Sequence, residues 1–475
     1  MNYTKSFNLI ENFFYIIFLT LPLSFVIGAA SANIFTFFSS IGLFVLSYKK
    51  NNWIWLKNKI FILFSIFILY IFFTYIFINY QNLSGSKLLK ILGFYRFGFT
   101  AFFISMIFYF INDKKKSLFI KFNLFLICFI LIDILVQKIF GRDLFGYKGG
   151  MCFASSFTYF DFKSLEEIKI QNNPYCQRFA GPFDQELIAG SYIVFVGIIT
   201  FALKFLSAPL KKKNLIYFYV SLVFSFVIVL ITGDRSPVIS FSIALLIFFI
   251  FEKHTRKYFF RLSFVFLVIG LITIFMNIHL YERYISVGKS LLNFDLLKKV
   301  SVIKKEKEND KKNIQEMNKD RSFSVKLIQS FLDTHWGAHY LTAIEMYKEK
   351  PLIGHGYMSF RNKCKKYDYI NSKSVENRCT THPHNYILQL LSETGIIGFL
   401  LFSLFLISVF IRVSNYSRIE NKSLCIFLFG IFLSFLFPFK PSGSIFSSVN
   451  SFYMFYILGW VLYSSNYNDI RPKKK

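Results

Sequence analysis

The chain is constrained most by a succession of long apolar runs. Several reach the roughly 18 to 20 residues that a helix needs to cross a bilayer. They fall at 13–28, 33–48, 60–78, 88–111, 122–140, 187–205, 215–231, 238–251, 262–280, 386–411, 424–439 and 445–463. A soluble domain of 475 residues can bury a large core, but it does not contain this many such runs. Hydrophobic residues make up 54% of the chain and charged residues 17%. No small-residue cleavage site follows the first run, which therefore reads as a retained helix. The expected fold is all-α: a polytopic integral membrane protein of about twelve transmembrane helices.

The formal charge of +29 does not point to nucleic acid. Lys and Arg sit mostly in short stretches between apolar runs, and no DNA- or RNA-binding motif accompanies them. The loops after even-numbered spans carry Lys49 and Lys50, Lys114 to Lys116, and Lys211 to Lys213. The short loops after odd-numbered spans carry few charges, among them Arg235 and Lys440. Positive charge marks the cytoplasmic side, so both termini are expected inside. The division that follows is 1–140 for spans one to five and 141–186 for a first periplasmic loop. Spans six to nine occupy 187–280, a long periplasmic loop 281–385, and the last three spans with a cytoplasmic tail 386–475. The long loop between spans nine and ten includes a Lys/Glu/Asn-rich stretch, Lys298 to Arg321, that reads as solvated.

Cysteine fits the same sidedness. Cys128 and Cys425 lie in apolar spans and read as inert packing residues. Cys152 and Cys176 fall in the first outer loop, Cys364 and Cys379 in the second. An even number in each suggests one disulfide per loop in an oxidising compartment. The absence of a CxxC spacing argues against a metal site.

Three short segments gather chemistry at the outer ends of spans. They are Arg178-Phe-Ala-Gly-Pro-Phe-Asp-Gln-Glu186, Thr232-Gly-Asp-Arg-Ser-Pro237 and Thr381-His-Pro-His-Asn-Tyr386. Each has a plain structural alternative. Arg178 and Arg235 can anchor to lipid headgroups, and Asn385 can serve as a helix N-cap. Their shared side and depth favour a common task. Arginine forms bidentate bonds to phosphate, and histidine is a suitable base near neutral pH. A group transfer from a polyprenyl pyrophosphate needs both. Arg96, inside the fourth span, is a further candidate phosphate contact because intramembrane arginines are costly.

Together these segments resemble the O-antigen ligase and O-antigen polymerase superfamily of bacterial envelope glycan assembly. The similarity is greatest in His382-Pro-His-Asn-Tyr-Ile-Leu-Gln-Leu-Leu-Ser-Glu-Thr-Gly-Ile-Ile-Gly398. The family has a His-Asn pair, a Leu, and then Glu-x-Gly-Ile-Ile-Gly. Lys350-Pro-Leu-Ile-Gly-His-Gly356 looks like the family's Pro-Leu-x-Gly-x-Gly stretch, Thr232 to Ser236 like its Thr-Gly-x-Arg-Ser turn, and Arg178 to Gly181 like its Arg-x-x-Gly. Where the family often has an arginine before the Ala-x-x-Met segment, this chain has His335, Trp336 and His339.

The resemblance implies a glycosyltransferase of the bacterial inner membrane with its active site on the periplasmic face. It implies an undecaprenyl-pyrophosphate-linked glycan donor and an acceptor that is either lipid A-core or another lipid-linked glycan. No metal and no cofactor are expected. Arg178 and Arg235 are expected to hold the pyrophosphate and His384 to act as general base. Arg96, His382 and Asn385 are expected to bind substrate. Ligase and polymerase remain alternatives, as does an oligosaccharyltransferase acting on proteins. A lipid or glycan transporter is the rival of another class. A transporter should place polar groups near the bilayer midplane, whereas the polar cluster here lies at the rim.

Overall fold

The computed structural model describes residues 2–148, 150–151, 177–183, 188–207, 212–252, 256, 259–276, 280–281, 335–366, 379–414 and 421–465. The Cys152/Cys176 pair, Asp184 to Glu186, the Lys298 to Arg321 stretch and the C-terminal tail lie outside the described residues. The helices are α1 (Asn2–Ile27), α2 (Ala29–Lys49), α3 (Lys59–Ile78), α4 (Gly85–Gly93), α5 (Tyr95–Phe110) and α6 (Asp113–Phe140). Then come α7 (Ala189–Leu206), α8 (Lys212–Ile231), α9 (Arg235–Phe251) and α10 (Phe259–Phe275). The last four are α11 (His335–Glu349), α12 (Tyr386–Ser414), α13 (Lys422–Phe435) and α14 (Ser448–Ser464). The one strand pair among the described residues joins Gly150–Met151 to Gln177–Arg178, so the architecture is helical as expected.

Among the described residues eight helices are long and apolar enough to cross a membrane, counting α4 and α5 as one span; α9, α10 and α13 are shorter apolar helices. Every apolar run read from the sequence meets a helix. α14 is buried nearly all round, against α5, α13 and the π-helical turn Ile193–Gly197 of α7. Its Trp460 packs with Phe108 (ring centroids 4.9 Å apart) and Phe119 (5.5 Å), and Phe18 stacks on Phe119 at 4.4 Å. Large side chains on the bundle's periphery, such as Phe73, Phe125 and Phe410, are exposed. So many exposed aromatic and aliphatic side chains suit a lipid surrounding and not water.

The two ends of the bundle differ in what they carry. At one end Lys49 and Lys50 reach Glu11, at 3.2 and 3.5 Å, and Lys115 bonds Asn12. The opposite end carries the three segments singled out above.

Three details differ from the sequence reading. The fourth span is broken at Phe94, which leaves α4 as a separate, largely exposed helix before α5. The last span begins at Ser448, and 436–447 forms a structured loop instead of helix. Cys128 is exposed on the bundle's surface, not packed inside; Cys425 is buried.

α12 is interrupted at Gly395, whose φ of 67° and ψ of −173° are not helical. The amide groups released there are taken up by the loop 351–356. Ile396 N donates to Pro351 O (2.8 Å) and Ile397 N to Leu352 O (3.3 Å). His355 N and Gly356 N donate back to Ser392 O and Glu393 O, at 3.0 and 2.8 Å. Non-helical backbone at such depth is stable only where protein satisfies it. The Pro-Leu-x-Gly-x-Gly and Glu-x-Gly-Ile-Ile-Gly motifs are therefore two halves of one packing unit.

Candidate functional site

The arginine segments are positioned by α6. Asp133 Oδ1 accepts Leu144 N at 2.8 Å, and Gln137 Oε1 accepts Gly181 N at 2.9 Å. These polar groups of the fifth span thus hold the loops at its end. Gly181 has φ +55° and lies against Ile134, a placement a side chain would not allow. Phe179 and Ala180 are buried on this frame, and Phe179 N donates to Thr232 O at 3.3 Å. Arg178 is thereby brought beside the turn between α8 and α9, where its Nη1 lies 3.7 Å from Asp234 Oδ1. Asp234 occupies the N-cap position of α9 but makes no side-chain cap bond. Arg235 is the first residue of that helix.

The histidine segment enters α12. His384 has a left-handed backbone, φ +57°, and its carbonyl accepts Ser442 N at 2.9 Å. Left-handed histidines are uncommon and such backbone concentrates at functional sites. The ring centres of His382 and His384 are 4.2 Å apart, and that of His339 of α11 lies 5.4 Å from His384. Burial pushes the His382 imidazole down to about 4; a hydrogen bond with the Ser442 backbone opposes this and the charge of Arg361 adds to it. His382 is therefore neutral and weakly basic at neutral pH. Asn385 is spent on structure. Its Oδ1 accepts Leu388 N (3.1 Å) as an N-cap, and its Nδ2 donates to Pro438 O (2.7 Å).

The loop 436–447 joins the two halves. Ser236 Oγ donates to Pro441 O at 2.9 Å, one residue before the Ser442 bond to His384. Gln389 donates to Ser444 Oγ and to Glu393 Oε2, at 2.8 and 3.1 Å, and its own oxygen accepts Ile445 N. Glu393 Oε1 accepts Phe360 N at 3.0 Å. Arg178, Arg235, His382 and His384 are thus brought to one end of the bundle by one connected frame.

The side-chain hydrogen bonds of Arg96 go to groups outside that frame, which it approaches through Tyr357, whose ring lies 5.1 Å from that of Phe446 in the 436–447 loop. Its Nη1 donates to Gly93 O (2.7 Å) and its Nη2 to Asn33 Oδ1 (2.9 Å). It faces Tyr357, whose phenol is pushed up to about 12 mainly by burial, with the charges of Arg96 and Arg361 acting the other way.

Three residues near the histidines escape the sequence reading as site residues: His339, Arg361 and Lys440. Lys440 counts there only as a loop charge, although its setting, Pro438-Phe-Lys-Pro-Ser-Gly-Ser444, is a visible turn signal. Among the described residues no group of three or more His, Cys, Asp or Glu side chains is placed to hold a metal ion.

Cys364 and Cys379 form a disulfide, with Cα atoms 5.3 Å apart. It ties the short helix Phe360–Lys363 to the strand of chain that carries His382. Treatment with an alkylating reagent without reductant is expected to leave both thiols unmodified, as read by peptide mass mapping. Ready alkylation of either would refute the linkage.

Arginine and histidine side chains thus lie at one end of a bundle of apolar helices of the kind that cross a membrane. Residues 220–403 match the family model described as O-Antigen ligase, and this part of the chain is similar to that family. Members of that family are glycosyltransferase-like membrane enzymes. The matched segment contains Arg235, His382 and His384; Arg178 and Lys440 lie outside it. No curated protein matches the chain.

Proposed function

We propose that this protein is a ligase-type glycosyltransferase of the bacterial inner membrane. It moves a glycan from undecaprenyl pyrophosphate to a lipid A-core acceptor at the periplasmic face. The observation that carries this reading is the frame of hydrogen bonds that links Arg178, the Arg235 turn and His384 through Pro441 and Ser442. The lysines of the short loops after even-numbered spans, such as Lys49, Lys50 and Lys114 to Lys116, support the orientation. Arginine at the rim suits a phosphate headgroup, and the apolar surface suits a polyprenyl tail.

In the proposed reaction Arg178 and Arg235 hold the donor pyrophosphate. The acceptor hydroxyl gives its proton to the His384 ring as its oxygen attacks the anomeric carbon. The bond from that carbon to the pyrophosphate oxygen breaks, and undecaprenyl pyrophosphate leaves with the electron pair. A single displacement inverts the anomeric configuration. Holding both lipids in one cleft supplies part of the acceleration, and arginine charge on the leaving group another part. Metal independence belongs to the same proposal: loss of transfer in EDTA, with recovery on adding magnesium, would count against it.

Arg235→Lys is expected to lose most transfer although its charge is kept. Lysine is a point charge without the planar fork that grips phosphate at two oxygens. A headgroup anchor would tolerate lysine, so near-normal transfer by this variant would favour anchoring.

The reading as a whole is tested by the lipopolysaccharide banding pattern of a deletion strain. A core-only band with accumulated lipid-linked polymer is expected. Core carrying one repeat unit would assign the polymerase branch instead, and an unchanged pattern would remove both.

A further inference from the structure

Lys440 is 3% exposed, on a loop fastened at both sides to the site. Asn385 bonds Pro438 O, Ser236 bonds Pro441 O and Ser442 N bonds His384 O. The lysine is thus held between the arginine turn and the histidine pair. Its ammonium points into the bundle, 5.4 Å from the ring centre of Phe195 and 5.5 Å from that of Phe435. Phe435 stacks on Tyr386, the first residue of α12, which follows the histidine segment. Phe195 sits just over one helical turn beyond Gly190, which touches Thr232 and Pro237 of the arginine turn. The ammonium therefore lies one turn inward of both halves of the site.

Among the described residues no carboxylate or carbonyl pairs with Lys440. Two aromatic faces compensate a buried ammonium only in part, because cation–π attraction is smaller than the cost of desolvating the charge. Burial accordingly pushes its pKa down to about 7. A cation kept in such a place is explained by an anion that arrives. We propose that Lys440 is a third substrate-binding cation, which receives a phosphate oxygen of the polyprenyl-pyrophosphate donor beneath the Arg178 and Arg235 pair. The inference rests on the donor proposed above. Its residue lies outside the segment that matches the O-Antigen ligase family.

The test uses the full chain in phosphatidylcholine nanodiscs, with affinity for undecaprenyl pyrophosphate read by native mass spectrometry. Lys440→Met should weaken binding about tenfold or more, the usual scale for one charge-assisted hydrogen bond. Its thermal midpoint should not fall, because an apolar chain of similar length suits the aromatic surroundings. Lys440→Arg should retain most of the affinity, and inorganic pyrophosphate should compete with the lipid. If Lys440→Met does not accumulate, Lys440→Gln is read in the same way. Unchanged affinity in these variants, with or without a lower thermal midpoint, would make Lys440 a structural pin and overturn the proposal. So would an equal loss of affinity for phosphatidylglycerol, which would make the ligand a bulk headgroup. If Arg235→Ala loses donor binding while Lys440→Met keeps it, this inference falls and the donor reading stands. If wild-type protein binds no polyprenyl pyrophosphate, both fall.

Discussion

His384→Ala should lower glycan transfer by about 10²- to 10⁴-fold, the usual cost of removing a general base, while leaving the protein at wild-type membrane levels. His382→Ala should retain part of the activity. The difference follows from the environment of the two rings. His382 is held neutral with a pKa pushed down to about 4, so it has little affinity for a proton at neutral pH. His384 stands at the entrance to α12, its ring 4.2 Å from that of His382 and 5.4 Å from that of His339, with its backbone fixed in a left-handed turn by Ser442. Alanine preserves the backbone bond to Ser442 and removes only the ring. A complementation assay at matched expression decides the matter. Full transfer by His384→Ala would sink the assignment of the base.

The second large effect is structural. Gly395→Ala is expected to prevent accumulation of folded protein. A Cβ at this position would run into the carbonyl of Leu352, and φ of +67° is a conformation that side chains resist. Gly354, on the facing strand of the same contact, has φ +68°, and a Cβ there would lie 2.5 Å from Glu393 C and 2.6 Å from Glu393 O. Neither clash is with a flexible side-chain end, so relief requires the backbone to move. Strained backbone and overpacking together cost on the order of several kcal/mol, comparable with the stability of a typical domain. Separation of the two glycine loops would release Phe360 and Gln389 from Glu393 and loosen the frame under His384. Gly85→Ala is the control, since a Cβ there meets nothing within 4 Å. The measurement is the thermal midpoint of the detergent-solubilised protein together with its membrane level. A Gly395→Ala protein as abundant and as stable as wild type would contradict this account of the motif.

Apolar run length made the helices legible from sequence, because a helix satisfies its own backbone bonds and its span depends on local composition. The Thr-Gly-x-Arg-Ser turn and the His-Pro-His-Asn segment could be singled out because glycine, proline and polar residues interrupt apolar runs sharply. Asn385 shows the limit of that reading: its type fits a ligand contact, but its amide is committed to the N-cap and to Pro438. Arg96 likewise has the right chemistry, but Gly93 and Asn33 engage it apart from the other arginines.

Sequence by itself determined the helical class, the positions of the apolar runs and the residue types able to meet a phosphate or take a proton. Only the tertiary structure decided which of them meet. Arg178 and Asp234 are 56 positions apart, and Ser442 and His384 are 58, so no local periodicity relates them. Their proximity is set by how α6, α9, α12 and the 436–447 loop pack. The burial of Lys440 between Phe195 and Phe435 depends on the same packing, because exposure belongs to neighbours that local sequence does not name.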